Sequence, residues 1–359
     1  MNKDEIENNR KKTICIFAAM TKVTEPWDPD STKHGITGSF EAVIYLSNEL
    51  AKLGYQVTVI GNPPKNSQFT DVISNPRYVP EDFVPTSKYD YAISWRVYWS
   101  IKLLINIAHK VYFWPHDIAL KPYQKDIIES YDEIFWLSNW QRNQWVTLNP
   151  SLAKYINIYG NGINPDEIEP MTERTNPYSC IYASNYGRGL ETLINCWPAI
   201  KKRFPKATLD IYYGWCSWSG LTAEQEVSLK NKISQLEPLD VKEHGLVGHK
   251  ELHKAYSKAS FWTYPCNGNE TFCISAIKAQ ASGAIPVIIT NSALQETVRH
   301  GYTCTTPEEY LSILLTAMQN AENITLQERI AMKQSVIEKY TWKNIAEKWK
   351  AVFDKNAPI

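Results

Sequence analysis

One glutamate stands in the most distinctive polar loop of the chain. Glu270 follows the apolar run Phe261–Tyr264 and precedes a helical stretch that ends at Gly283, after which another apolar run begins. This order of strand, polar loop, helix and strand predicts that Glu270 lies at a helix entrance, where the helix dipole stabilises a carboxylate by about 0.3 to 1 kcal/mol. That stabilisation is a sufficient structural reason for an acid here, so the residue type alone leaves structural and functional roles open.

Two glycine-bearing loops have the features of anion sites. Arg188 follows the apolar run Ser179–Ala183 in a loop that leads into a helix. A guanidinium can hold phosphate oxygens through two parallel hydrogen bonds. In the first half of the chain, Gly35 and Gly38 lie in a comparable loop, where close backbone approach and free amides at the helix start favour an anion such as diphosphate. A plain turn is the alternative for such a loop.

A histidine and an acid directly follow the predicted strand Lys110–Trp114. His116, beside Asp117, can hydrogen-bond a sugar hydroxyl or stay neutral near pH 7 with its ring fixed by a partner. A buried structural histidine is the alternative. Ser138 stands before another helix, where capping of the first amide groups is a sufficient explanation.

The elements that must position these residues alternate between short β-rich runs and amphipathic helical stretches, the pattern of parallel α/β sheets. The first half contains six strand candidates, Thr13–Ala19, Gln56–Ile60, Tyr91–Trp95, Lys110–Trp114, Glu133–Leu137 and Tyr155–Tyr159. The second half contains five, Ser179–Ala183, Leu209–Tyr213, Val241–Glu243, Phe261–Tyr264 and Ile285–Ile289. Because ligands of open parallel sheets bind at the carboxyl ends of the strands, the polar loops are predicted to form the ligand edge.

The strand pattern is interrupted between Gly162 and Pro177, where proline and charged residues dominate, and this predicts a domain boundary. A length of 359 residues exceeds what one hydrophobic core usually serves, which also favours two domains. The pattern from about Leu326 to Lys355 is helical, and two tryptophans seven residues apart, at 342 and 349, fall on one face.

The composition disfavours several classes of function. The 38 basic and 38 acidic residues give no net field that would favour nucleic acid or an anionic membrane. The seven cysteines form no Cys-x-x-Cys pair and mostly lie in apolar runs, which indicates reduced thiols without zinc. The sequence has neither an apolar leader region nor a run of about 18 apolar residues, so we expect a cytoplasmic protein without a transmembrane segment.

Taken in order, the loops resemble glycosyltransferase family 4, a large group of retaining enzymes with the GT-B fold, over nearly the whole chain. The loop Thr37–Glu41 is similar to the family's early Gly-Gly-x-Glu-like loop, and the turn Asn161–Ile163 is similar to its Asn-Gly-Ile/Val turn. Ser138 resembles the family's mid-chain serine, and Arg188 with the following glycine resembles its phosphate-binding pair.

The chain departs from the family pattern in two places. A second phosphate-binding arginine has no counterpart in Ala183–Tyr186, and Lys278 stands where the second of two glutamates is expected after Glu270. In the family the first glutamate contacts hydroxyls of the donor sugar, and the second commonly holds the nucleotide ribose. Lys278 would instead reach a phosphate or point to solvent.

The resemblance implies an α/β protein of the GT-B type, with two Rossmann-like domains whose parallel sheets face across a cleft and a C-terminal helix that crosses back to the N-terminal domain. We expect an acceptor-side domain at residues 1–165, a nucleotide-sugar donor domain at 166–338 and the C-terminal helix at 339–359. The implied function is transfer of a hexosyl or related sugar from a nucleotide-diphosphate-sugar to an acceptor hydroxyl, with retention. The alternatives are a catalytically silent GT-B protein that binds a nucleotide or glycan, and a nucleotide-sugar epimerase.

The resemblance and the loop positions together assign the site. The predicted catalytic residues are Glu270, His116 and Arg188. The predicted donor-binding residues are Gly38, Ser39, Ser184, Asn185, Arg188, Gly268, Asn269, Thr271, Phe272, Cys273, Ile274 and Lys278. The predicted acceptor-side residues are His34, Trp95, Arg96, Asp117 and Ser138. We expect a nucleotide-sugar donor, a glycan, protein, lipid or small-molecule acceptor, no nucleic acid, and no metal or other cofactor.

Overall fold

The computed structural model describes residues 10–19 and 25–357, which divide into two compact units. The first unit comprises the described chain up to Ser31, Thr37–Gly162 and the chain from Trp342 onwards. The second comprises Thr32–Ile36 and Ile163–Thr341. All seven cysteines are free thiols, as the sequence predicts. None of the helices in the described residues combines the length and the apolar character needed to cross a membrane.

The first unit is built on a six-stranded parallel sheet with the spatial order β3-β2-β1-β4-β5-β6. Its strands are β1 (Thr13–Phe17), β2 (Gln56–Gly61), β3 (Arg77–Pro80), β4 (Tyr89–Trp95), β5 (Ala108–Trp114) and β6 (Glu133–Ile134). Its helices are α1 (Gly38–Lys52), α2 (Ile101–Ile107), α3 (Lys125–Ile128), α4 (Asn139–Leu148) and, at the chain end, α12 (Trp342–Lys355). The central strands are buried over nearly their full length, as in other parallel sheets covered by helices.

The second unit contains another six-stranded parallel sheet, in the order β12-β11-β10-β7-β8-β9. Its strands are β7 (Ser179–Ala183), β8 (Thr208–Tyr212), β9 (Val241–Gly245), β10 (Phe261–Tyr264), β11 (Ile285–Ile289) and β12 (Tyr302–Cys304). Its helices are α5 (Leu190–Arg203), α6 (Ala223–Gln235), α7 (His249–Lys258), α8 (Ile274–Ala281), α9 (Leu294–Thr297), α10 (Tyr310–Gln319) and α11 (Leu326–Lys339).

Both sheets follow the same strand order when each is numbered from its own first strand, namely 3-2-1-4-5-6. This is the order of the Rossmann fold, so the prediction of two Rossmann-like domains is confirmed. The order reverses direction between β1 and β4 in the first unit and between β7 and β10 in the second. Ligands of such sheets bind beyond the carboxyl ends of the strands at these switch points.

The chain end forms two helices, where the sequence pattern predicts one helical stretch from Leu326 to Lys355. The first of them ends before Tyr340, whose carbonyl accepts a hydrogen bond from the Ile163 amide beside an isolated bridge between Ile163 and Thr341. Helix α12 then packs against α1 of the first unit, as the expected return of the C-terminal helix requires. The buried face of α12 is formed by Trp342, Ile345, Ala346, Trp349 and Phe353.

Strand prediction is wrong at the edges of the sheets. Tyr155–Tyr159 forms only an isolated bridge, between Trp136 and Ile158, and its Ile156 is exposed. The strands β3 and β12 were not predicted, because each has only three or four residues and a burial pattern that is partly exposed. Short edge strands carry little of the apolar alternation that identifies central strands.

Candidate active site

The loop after β7 positions Arg188 at the switch point of the second domain. Tyr182, in β7, donates its hydroxyl to the carbonyls of Asn185 at 2.7 Å and Arg188 at 3.1 Å, which fixes the loop from inside the domain. The side chain of Asn185 accepts from the amide of Gly187 at 2.8 Å and donates to the carbonyl of Trp218 at 3.3 Å. The Arg188 side chain itself is 42% exposed and can therefore meet a ligand.

Glu270 follows β10, the other strand of the switch point, and its main chain is tied to the next loop. Its amide donates to the Ser292 hydroxyl at 2.8 Å, and its carbonyl accepts from the Ala293 amide at 3.1 Å. The expectation that Glu270 lies at a helix entrance is wrong, because α8 begins four residues later, at Ile274. A helix dipole acts mainly within the first turn, so the carboxylate is stabilised by side chains instead.

Arg188 and Glu270, both predicted to be catalytic, are in direct contact. Arg188 Nη1 lies 2.6 Å from Glu270 Oε1, and Tyr264 donates its hydroxyl to the same oxygen at 2.5 Å. Ser184, a predicted donor-binding residue, donates to the Tyr264 hydroxyl at 3.2 Å. The loops after β7 and β10 thus form one chain of polar contacts, with a Glu270 side chain that is only 12% exposed.

The charges of this cluster hold the groups around Glu270 in defined protonation states. The carboxylate of Glu270 raises the pKa of Arg188 above its ordinary value, although burial opposes this. Burial and then the negative charge of Glu270 raise the pKa of Tyr264 well above 10.0, so its phenol stays protonated and acts as a donor. Burial also raises the pKa of Cys273 well above 9.0, so this thiol is not an activated nucleophile.

Gly189 permits the close approach of the two loops. Its φ is +92°, and a Cβ there would overlap the carbonyl oxygen of Pro265, directly after β10. Only glycine combines this left-handed conformation with so short a backbone approach. The glycine after Arg188 is therefore what brings the loop after β7 against the loop after β10.

The remaining predicted donor residues of the loop before α8 fall into two groups. Gly268 and Asn269 are exposed, and Thr271 is half-buried. Phe272 and Ile274 are buried, so both side chains pack into the domain. The Phe272 ring contacts the Tyr340 ring edge-on, with 5.5 Å between the ring centroids. Cys273 occupies the position just before α8 with a left-handed backbone, φ +71°.

Lys278 lies inside the domain with only 4% of its surface exposed, so the alternative in which it points to solvent is wrong. It lies on α8, near His249 and His253 of α7. Burial and, second, the charge of Lys278 lower the pKa of both histidines to about 2. These two rings are therefore neutral at physiological pH.

Four predicted residues of the first domain come together at the carboxyl ends of β4 and β5. Arg96 makes two hydrogen bonds of 2.7 Å to the carboxylate of Asp117 and lies 5.3 Å over the ring of Trp95. The His116 ring packs against the same tryptophan, with 5.8 Å between the ring centroids. Burial and then the charge of Arg96 lower the pKa of His116 well below 6.5, so its ring is neutral. Arg96 has φ 65°, a strained conformation of the kind that clusters at functional sites.

The other first-half candidates lie in separate places. Gly38 and Ser39 form the first turn of α1 and are half-buried. Ser138 is buried and caps α4 by accepting from the Gln141 amide at 3.0 Å, which agrees with its structural interpretation. His34 is exposed, in the segment Thr32–Ile36 that groups with the second unit.

One Asp-x-Asp sequence, Asp28-Pro29-Asp30, bears on the expectation that no metal is needed. Asp28 is buried and accepts the Asp30 amide at 2.9 Å, while Asp30 accepts from Gln68 at 3.1 Å. The Asp28 carboxylate thus closes a local turn, and the Asp30 carboxylate is held by a residue from another loop. Over residues 10–19 and 25–357, no group of three or more His, Cys, Asp or Glu side chains is arranged to hold a metal ion.

Sequence reasoning missed three residues of the second-domain site. Tyr182 and Tyr264 lie in buried strands, where an aromatic residue is normally part of the core, and only their hydroxyls reach the site. Ser292 lies in the loop after β11, so its position beyond the carboxyl end of a strand could have identified it as a site residue.

Comparison with known proteins agrees with this architecture. Residues 178–323 match the family model described as Glycosyl transferases group 1. No curated protein shows significant sequence similarity to the chain.

Solved structures of low sequence identity match almost the whole chain. Sucrose-phosphate synthase from Thermosynechococcus elongatus is 16% identical, with a TM-score of 0.73 over 96% of this chain and 99% of that chain. A glycosyltransferase from Rickettsia africae is 12% identical, with a TM-score of 0.74 over 96% and 98%. HepE from Anabaena, in complex with UDP and glucose, is 11% identical, with a TM-score of 0.69 over 96% and 100%. The chain therefore has the GT-B fold, and its second domain matches the group 1 glycosyltransferase model.

Proposed function

We propose that the chain is a glycosyltransferase that moves a sugar from a nucleotide-diphosphate-sugar to an acceptor hydroxyl. The observation that carries this proposal is the contact between Arg188 and Glu270 at the switch point of the second domain. A guanidinium suits phosphate and a carboxylate suits sugar hydroxyls, so the two side by side can contact both parts of a sugar diphosphate. The family match of the same domain, and the UDP and glucose bound by HepE, support this assignment.

In the proposed reaction the bond between the anomeric carbon and the diphosphate oxygen breaks. The acceptor oxygen attacks the same carbon from the face that the diphosphate leaves, and its proton passes to the departing phosphate oxygen, which gives retention. Arg188 stabilises the charge on the leaving diphosphate, and Glu270 orients the donor sugar. In the first domain, neutral His116 is the group proposed to hydrogen-bond a sugar hydroxyl.

We further propose that no metal takes part, because an arginine and backbone amides can supply the positive charge that a divalent ion supplies elsewhere. The bonds of Asp28-Pro29-Asp30 favour this proposal, because the Asp28 carboxylate accepts the Asp30 amide within a turn and the Asp30 carboxylate accepts from Gln68. Activity in the presence of EDTA should equal activity without it. Complete loss of turnover on chelation, restored by a divalent ion, would contradict metal independence.

A catalytically silent nucleotide-binding protein is the second candidate, and one observation favours it. Lys278 is buried where the family resemblance expects a glutamate that holds the ribose. Ribose recognition in this chain must therefore use other groups, or the site has been adapted to binding alone.

The two candidates are separated by one sequence of experiments. A thermal-shift screen of UDP, GDP, ADP and CMP identifies the nucleotide, because a ligand selective for the native state raises apparent stability. Release of the nucleoside diphosphate from matching nucleotide sugars is then measured with and without acceptors. We expect a nucleotide-dependent shift and sugar turnover. A shift without turnover across the donor panel would favour the silent alternative.

A further inference from the structure

We propose that Tyr264 is a positioning residue that holds the Glu270 carboxylate during sugar transfer, an inference that rests on the proposed function. Its hydroxyl lies 2.5 Å from Glu270 Oε1 and accepts from Ser184 at 3.2 Å. The ring is completely buried at the end of β10, so the hydroxyl reaches Glu270 from inside the domain and not from the ligand side.

Tyr264 can hold the Glu270 carboxylate when the donor is bound, whereas Arg188 is then engaged with the diphosphate. Both side chains bond the same oxygen of Glu270 in the structure. If Arg188 turns to the diphosphate, Tyr264 still holds Oε1, and the second oxygen of the carboxylate can accept from a sugar hydroxyl. Because the ring is locked by burial, the hydroxyl fixes the carboxylate at little entropic cost.

The phenol is suited to this role because it donates at every working pH. Burial and the charge of Glu270 keep its proton in place, and Ser184 occupies its acceptor side. Because its proton is donated to the carboxylate, the phenol acts on the reaction through Glu270. Its removal should therefore affect the transfer step more than the binding of the nucleotide.

The test is the Tyr264→Phe variant, which keeps the buried ring and removes only the hydroxyl. We expect kcat for donor turnover to fall roughly tenfold, while the donor KM changes by less than about twofold. In the Glu270→Ala background, which has no side-chain acceptor for the hydroxyl, the same substitution should change kcat by less than about twofold, because residues that act as a unit are not additive. Tyr310→Phe is the matched control, since Tyr310 is also fully buried and donates its hydroxyl to a backbone carbonyl, that of Val287 at 2.9 Å.

The possible outcomes are distinct. Unchanged kcat in Tyr264→Phe, or equal effects of Tyr264→Phe in the wild-type and Glu270→Ala backgrounds, overturns the inference and leaves the proposed function standing. Equal losses in Tyr264→Phe and Tyr310→Phe also overturn it, since they would reflect general loosening of the domain. Absence of donor turnover by the wild-type protein overturns the proposed function and this inference with it.

Discussion

Replacing Glu270 by glutamine should change turnover and nucleotide binding in opposite directions. The structure places one carboxylate oxygen 2.6 Å from the guanidinium that is proposed to bind the diphosphate. A diphosphate must therefore displace the carboxylate from the guanidinium or share the guanidinium with it. The glutamine variant removes this competition. The same substitution removes the charge that orients the donor sugar, so transfer should become slower.

The size of each effect follows from the burial of the pair. A fully buried pair would interact strongly, but the Arg188 side chain is 42% exposed, so screening limits the interaction to about 1 kcal/mol. We expect the nucleoside diphosphate to bind roughly fivefold more tightly to Glu270→Gln. Loss of a preorganised group should lower kcat on the order of 10².

Calorimetry with the nucleoside diphosphate that most stabilises the wild type measures the first effect, and donor turnover measures the second. Glu191→Gln is the matched control, because Glu191 pairs with Lys232 at the same 2.6 Å distance on the surface of the same domain. Weaker nucleotide binding in Glu270→Gln would refute the competition, and normal turnover would remove Glu270 from the proposed mechanism.

Three further predictions concern binding and stability. Arg188→Ala should weaken nucleoside diphosphate binding by about 1.5 to 3 kcal/mol in calorimetry, and unchanged affinity would remove Arg188 from the site. Gly189→Ala should lower the free energy of unfolding by about 3 kcal/mol in chemical denaturation, from backbone overlap and positive φ. Gly220→Ala should lower it by only about 1 kcal/mol, because a Cβ at Gly220 (φ +80°) meets nothing within 4 Å; equal losses would contradict the close approach. The pKa values of His249 and His253 are lowered to about 2 by burial and a neighbouring lysine, so the unfolded chain binds more protons below the ordinary pKa of 6.5. The free energy of unfolding is therefore highest above pH 6.5 as far as these two rings are concerned. As the pH falls from 6.5 to 5.5, it should fall by about 2 kcal/mol for the two rings together. Chemical denaturation of His253→Gln should show a smaller loss over the same pH range.

The sequence was sufficient to predict the parallel sheets and the location of the site because both depend on local patterns. Buried central strands such as β4 and β10 consist mostly of apolar and aromatic residues, and polar residues follow in the loops after them. Arg188 and Glu270 could be named for this reason, although 82 residues separate them in the chain.

The direct contacts of the site could not be predicted in the same way. The bond between Arg188 and Glu270 depends on the tertiary approach of two loops, and the hydroxyl of Tyr264 is hidden by the apolar character of its ring. The burial of Lys278 likewise depends on helix packing, because a lysine is rarely buried and its residue type therefore favours the surface. Edge strands were missed because their short runs resemble loops.

The most direct test of the proposed sugar transfer follows both products of one reaction by NMR, with the nucleotide sugar that matches the stabilising nucleotide. The wild-type protein should form a glycoside and the nucleoside diphosphate in equal amounts, with the anomeric configuration of the donor preserved. Glu270→Gln should form both roughly a hundredfold more slowly. A bound nucleotide sugar that stays intact with every acceptor, or that is converted only to its epimer, would contradict transfer.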